Sequence, residues 1–259
     1  MSYKTILVTD DDAVRTITLN RPERRNAMTP EMQDELIVAM EEASSSDIRV
    51  VIFAGAGEAF CSGLDLTALQ AMKGKSSAEY RADAERIARL FRTLYELPRP
   101  TIAAVQGAAI AGGTGLATIC DFTIAVPAAK FGYTEAKIGF VPALVSAFLA
   151  LQIGDKRARD LLLTGRLFDA AEAYRLGIVN EVVAPENLAE RAQGLSKTLR
   201  ANSPASMAAT KRLLAEQNRV WLDSAIGVAM EANARSRETE DFQEGITAFL
   251  EKRKPVWKT

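Results

Sequence analysis

The chain has 259 residues, 48% hydrophobic and 25% charged, which supports one full hydrophobic core with at most one appendage. Its 32 lysines and arginines nearly balance 33 aspartates and glutamates, so the net charge of -1 sets up no global field for nucleic acid or an anionic bilayer. The absence of histidine removes every imidazole-dependent triad or metal site, and two cysteines, Cys61 and Cys120, are too few for a disulfide framework or a zinc site.

The segment MSYKTILVTDDDAV has no basic stretch followed by an apolar core and is not an arginine-rich amphipathic leader, so the cytoplasm is the expected location. Thr5 to Val8 and Val14 to Leu19 are β-branched runs separated by Asp10, Asp11 and Asp12, the pattern of a hairpin with an acidic turn. Thr29 is placed to cap a first helix with Pro30 at its first position, and Met32, Leu36, Ile37 and Met40 share one face. The polar run Ser44 to Asp47 stops it, and Val50 to Ala54 follows as a buried strand. In FCSGLDL a turn at Gly63 leads into a short helix capped by Asp65, which leaves the Leu64 N–H pointing outward. Ser76 and Glu79 form a capping box for a second long helix with Ile87, Leu90, Phe91, Leu94 and Tyr95 as its stripe, ended by Pro98 and Pro100.

Thr101 to Val105 then reads as a strand, Gly112 to Ile119 as a helix and Asp121 to Val126 as another strand, an alternation that defines an α/β core. Gly112 and Gly113 open their helix where the first amides have no intrahelical partner and lie at the positive end of the dipole. Two N–H groups from separate loops that converge on one oxygen make an oxyanion hole, although each glycine turn by itself also suits ordinary close packing. Glu135 is the downstream carboxylate suited to proton transfer; a bond to Lys137 or a capping role would also explain it. The longest apolar run, Val141 to Leu151, contains Pro142 and Ser146 and is too short to span a membrane.

From Ala184 the pattern is helical: Asn187 to Leu199, Pro204 to Glu216 behind the cap Ser203, Val220 to Arg235, and Phe242 to Lys252. The expected organisation is an α/β core over residues 1–183 with the substrate site, and a helical oligomerisation and lid region over 184–259. Trp221, Leu222, Ile226, Met230, Ile246 and Phe249 exceed what a thin surface layer needs, which points to packing on another subunit.

In order along the chain, LNRPERRNAM, AFCSGLDL, AAVQGAAIAGG, CDFTIA, AKFGYTEAKIG and GITAFLEKRKP resemble the successive motifs of the crotonase, or enoyl-CoA hydratase/isomerase, superfamily. The resemblance runs from Ile6 to Lys258 and implies a spiral of β-β-α units with a C-terminal α-helical region, assembled as a homotrimer or hexamer. It implies an acyl-CoA thioester as partner, with coenzyme A as part of the substrate and no separate cofactor, metal, nucleic acid or membrane. On that basis Leu64 and Gly112 donate their N–H groups to the thioester oxygen and Glu135 is the general acid/base. The Ser62 carbonyl meets the adenine, Arg25 borders the nucleotide, and Asp65, Leu66, Gly113 and Pro142 complete the substrate-binding set. The basic end Lys252 to Lys254 reads equally as a phosphate contact or a solvated helix end.

One departure bears on chemistry. Typical hydratases of the family carry a second glutamate in the helix after the glycine turn, where this chain has Gly115, and a glycine-rich stretch where this chain has Leu144 and Val145. GGTGLATICD with IGFVPALVSAFL is similar to the subgroup acting on branched, carboxylated enoyl-CoAs such as methylglutaconyl-CoA; the added bulk also suits short or linear chains. Hydration of a 2-enoyl-CoA is the expected reaction, with a double-bond isomerase that uses Glu135 alone and a non-catalytic acyl-CoA-binding protein as alternatives. Gly107, Gly112, Gly113 and Gly115 do not make GxGxxG, so dinucleotide binding is not expected.

Overall fold

The computed structural model describes residues 3–258. β1 (Ile6–Asp11) and β2 (Val14–Leu19) pair antiparallel, and the acidic hairpin is tighter than its sequence suggests. Asp10 and Asp11 extend the strand because Asp10 lies opposite Arg15, whose guanidinium grips it at 2.7 Å; only Asp12 and Ala13, both at positive φ, make the turn. Thr29 caps α1 (Pro30–Ser44) as expected, accepting from the Met32 N–H, and β3 (Val50–Gly55) follows. Asp65 caps α2 (Leu66–Ala71), and Ser76 and Glu79 form the full capping box of α3 (Ser77–Glu96).

β4 (Thr101–Val105) is buried at every residue. It is followed by β5 (Ala109–Ile110), α4 (Gly112–Ile119), β6 (Phe122–Ala125) and β7 (Lys130–Gly132). The apolar run after Pro142 is α5 (Ala143–Ile153), apolar nearly all round because it is buried nearly all round. Next come α6 (Asp155–Thr164), β8 (Leu167–Asp169), α7 (Ala170–Leu176), β9 (Glu181–Val182) and α8 (Leu188–Arg200). α9 (Pro204–Ser236) joins into one rod the two helices expected over 204–216 and 220–235, since nothing in Gln217–Arg219 breaks a helix. α10 (Glu240–Leu250) closes the chain. Among the described residues no helix is long and apolar enough to cross a membrane.

The strands form two sheets. The larger has the order β1-β2-β3-β4-β6-β9 and is parallel except for the β1–β2 hairpin; the smaller has the order β5-β7-β8. α8 packs on β3, β4 and β6, so part of the helical tail covers the central sheet. Successive turns of chain repeat one plan. β3, then the bridge at Cys61, then α2 and α3; β4, then β5, then α4; β6, then β7, then α5: each turn gives a strand to the large sheet, a short extended piece to the small one, and a helix. This is the expected spiral of β-β-α units. Its short pieces stack in parallel, Cys61 beside Ala109 and Ala109 beside Phe131, so equivalent points of adjacent turns become neighbours in space.

Candidate active site

That stacking brings the two glycine turns together. The Cys61 N–H donates to the Ala108 carbonyl at 3.1 Å and the Ile110 N–H to the Cys61 carbonyl at 2.8 Å, which fixes their register. Gly63 sits at φ +89°, and a Cβ there would lie 2.9 Å from the Ile110 carbonyl oxygen, 3.0 Å from the Ala111 Cβ and 3.5 Å from the Gly112 nitrogen, so only glycine allows the approach. On the facing turn Ala111 takes φ 53°, ψ -124°, a conformation costly for a residue with a Cβ, immediately before Gly112 opens α4. Among the described residues neither the Leu64 nor the Gly112 N–H donates a backbone hydrogen bond, whereas the flanking Asp65 and Ala111 N–H groups do, to Met28 and Gly132.

Leu64 and Gly112 open onto a cavity of about 250 Å³. Its wide side is bordered by Arg25, Ser62, Val141 and Phe249, of which Arg25, Val141 and Phe249 are exposed. Its buried wall comes from Ile87 and Phe91 of α3 and from Leu144 and Val145 of α5. Leu66 and Pro142 also line it. Asp65 and Gly113, assigned to the substrate from sequence, do not. The Asp65 carboxylate receives the Thr67 and Ala68 N–H groups and the Arg21 guanidinium, 3.0 Å away, and these partners hold it below the usual carboxylate range against the opposing effect of burial. A Cβ on Gly113 would stand 2.2 Å from the Cys61 carbonyl oxygen, so this glycine lets α4 pack against the neighbouring turn. Arg253, within the basic end, is engaged by Glu244 and Glu251.

Glu135 begins a 3-10 turn after β7 and is 7% exposed. Burial pushes its carboxyl up to about 7, with its own backbone N–H the only opposing influence, and its Oε2 has no partner among the described residues. Lys137, two residues on, is exposed and makes no ion pair with it. A carboxylate with no partner in a cavity is available for proton transfer.

Gly115 also faces this wall. A Cβ there would lie 2.5 Å from Val145 Cγ1 and 3.3 Å from Phe91 Cζ, so the room a longer side chain needs is taken by α5 and α3. Gly115 and Val145 are a steric pair.

Three further residues escaped the sequence reading. Asn26, fully buried at φ 55°, donates through Nδ2 to the carbonyls of Ala56, Ala59 and Phe60 and so ties the Arg25 loop to the Gly63 turn. Asn233 of α9 and Thr134 reach the cavity wall. A buried asparagine in the left-handed region has a weak sequence signal in the RRNA turn; Asn233 had none, because it lies far along the chain from Leu64, Gly112 and Glu135.

Comparison with known proteins agrees with this architecture. The family described as Enoyl-CoA hydratase/isomerase matches residues 9–259. A Thermus thermophilus protein assigned as an enoyl-CoA hydratase is 44% identical over 93% of this chain and 96% of its own length. A crotonyl-CoA hydratase of Syntrophomonas wolfei is 31% identical over 98% of each chain. The crystal structure of an enoyl-CoA hydratase/isomerase from Xanthobacter autotrophicus Py2 superposes with a TM-score of 0.90 at 32% identity, covering 97% of this chain and 98% of that one. The chain therefore belongs to the enoyl-CoA hydratase/isomerase family of the crotonase superfamily.

Two measurements probe the site without substrate. Because the folded Glu135 holds its proton to about 7 while the unfolded one releases it near 4.5, the native state loses stability as pH rises between those values and stays lower above them. Glu135→Gln therefore raises the melting temperature at pH 8, by roughly 1–3 kcal/mol of stability, and changes it little at pH 4. Gly115→Ala gains about 1 kcal/mol of helix propensity but forces a methyl into Val145, for an expected net loss of about 1–2 kcal/mol. In a Val145→Ala background the same substitution becomes stabilising, a reversal that a denaturant double-mutant cycle reads directly.

Proposed function

We propose that the protein hydrates a 2-enoyl-CoA thioester. One observation carries this reading: the buried Glu135 carboxylate, whose Oε2 has no partner among the described residues, shares a cavity with the two N–H groups of Leu64 and Gly112 that donate to no backbone acceptor. The thioester oxygen lies between those N–H groups, and the acyl chain enters the apolar wall of Ile87, Phe91, Leu144 and Val145. Glu135 takes a proton from water as the hydroxide oxygen bonds to the β-carbon; the double-bond electrons move to the thioester oxygen as an enolate. The two N–H donors stabilise that developing charge. Glu135 then returns the same proton to the α-carbon, so one carboxylate closes the cycle with no other acid or base.

The coenzyme A portion belongs to the substrate and leaves with it; no separate cofactor takes part. Arg25 and the Ser62 carbonyl border its nucleotide at the wide side of the cavity. The protein works in the cytoplasm, as a homotrimer or hexamer; the assembly is supported by Leu213, Leu214, Val220, Trp221 and Val228, all exposed along α9.

A second reading has its own support. With Val145 and Phe91 filling the room in front of Gly115, the site has one carboxylate, and moving a proton between α- and γ-carbons requires only one. The protein would then be an enoyl-CoA isomerase. An acyl-CoA-binding protein without turnover is the remaining possibility.

Incubation with 2-enoyl-CoA and 3-enoyl-CoA thioesters separately, followed by mass spectrometry, is expected to show addition of water to the first; bond migration alone identifies the isomerase, and tight binding without turnover the silent protein. Glu135→Gln is expected to lower kcat by about 10²- to 10⁴-fold with little change in KM, and wild-type kcat/KM is expected to rise with pH through about 7 as the carboxylate ionises. Full turnover in a folded Glu135→Gln protein would exclude the residue from the chemistry. Light scattering on the full chain is expected to give three or six subunits, and a monomer would contradict the assembly.

A further inference from the structure

The cavity contains a polar group that the hydration chemistry does not use. Asn233, 3% exposed, enters its wall from α9, the helix packed on α3 and α5, whose Ile87, Phe91, Leu144 and Val145 are otherwise apolar neighbours. Its Oδ1 receives two hydrogen bonds from Arg237, from Nε at 3.3 Å and from Nη2 at 3.1 Å. A guanidinium has only donors, so the amide atom that faces it must be the oxygen, and the amide orientation follows from chemistry. Nδ2 is thereby turned away from Arg237, and it donates to no described residue.

Arg237 is itself immobilised. It is 1% exposed, pairs with the buried Asp83 at 2.6 Å, and stacks 5.6 Å from the centroid of Phe140, another cavity residue. Asp83 in turn holds Arg86, which reaches Asp34, so the charges alternate and balance. This network has no counterpart in the proton-transfer chemistry. Its geometric effect is to fix the orientation of one amide in the cavity wall, with Oδ1 held by Arg237 and Nδ2 on the other side.

We infer that Asn233 selects acyl groups that carry an oxygen acceptor on the chain beyond the double bond, with Arg237 as the positioning residue that aims the amide. The inference rests on the acyl-CoA reading above and narrows its substrate class. An oxygenated chain satisfies Nδ2, whereas a plain hydrocarbon chain leaves a desolvated donor unpaired, and a site built around a hydrogen bond rejects the analogue that lacks it. A hydroxyl, keto or carboxylate oxygen each provides the acceptor; the balanced charges around Arg237 put no net requirement on its charge.

The test compares the linear six-carbon 2-enoyl-CoA with counterparts bearing a terminal hydroxyl, keto or carboxylate oxygen, by kcat/KM, and the corresponding saturated acyl-CoAs by calorimetric Kd. Wild-type protein is expected to favour at least one oxygenated chain by about tenfold or more in both measurements. The arms show whether a neutral or a charged acceptor is preferred. Asn233→Asp retains an acceptor for Arg237 but replaces the free donor with an oxygen, and is expected to abolish or reverse the preference, most strongly for the carboxylate. Asn233→Leu is expected to bring the ratio near one, and Arg237→Lys to weaken the preference through KM with a smaller effect on kcat. Should either Asn233 variant fail to fold, the wild-type ratios still decide. Equal Kd values for plain and oxygenated acyl-CoAs, or an unchanged ratio in a folded Asn233→Asp protein, would overturn the inference. Absence of turnover with the calorimetric preference intact would instead overturn the hydration reading alone.

Discussion

Parallel pairing of Cys61 with Ala108 and Ile110 is the constraint on which the site depends. Two backbone hydrogen bonds place one turn of the spiral against the next with fixed register, and a one-residue slip would face each glycine turn with the wrong neighbour. Gly63 at positive φ and the strained Ala111 are local consequences: both turns must bend sharply where they meet, and one has no room for a Cβ. Asn26 reinforces the arrangement from the other side, since its three bonds to carbonyls of the Gly55–Phe60 loop hold the Arg25 turn against Ser62. Backbone thus sets where the two turns meet, and side chains form the cavity walls.

Burial then gives the site its chemistry. The same loss of solvent that makes Glu135 expensive to ionise brings its protonation midpoint near neutrality, and no cation among the described residues offsets it. A buried carboxylate beside an arginine, such as Asp83 with Arg237, is a structural element of the fold; one without such a partner is available for proton transfer. The wall opposite follows from packing. Val145 and Gly115 share one volume, so the helix after the glycine turn cannot accommodate a second acid without rearrangement of α5.

Local chemistry was readable along the chain where the signal was itself local. The caps at Thr29, Asp65 and Ser76, the fully buried β4, and the glycine that opens α4 all lie where their residue types require. Legibility failed where a distant group intervened. Asp10 and Asp11 read as a turn until Arg15 is placed across the ladder. The tail read as helical, but that α8 lies on the central strands and that α9 brings Asn233 to the cavity wall depends on packing between distant segments.

The sequence by itself determined the α/β alternation, the family and the identity of the one downstream carboxylate, because motif spacing, capping and the absence of histidine are properties of residue types in order. Only the tertiary structure decided that the Gly63 and Ala111–Gly112 turns meet, that Glu135 Oε2 has no partner among the described residues, that Val145 fills the space before Gly115, and that Arg237 orients Asn233. Each of these is a distance between segments far apart in the chain, and such distances are set by the stacking of spiral turns and helices, which no local pattern encodes.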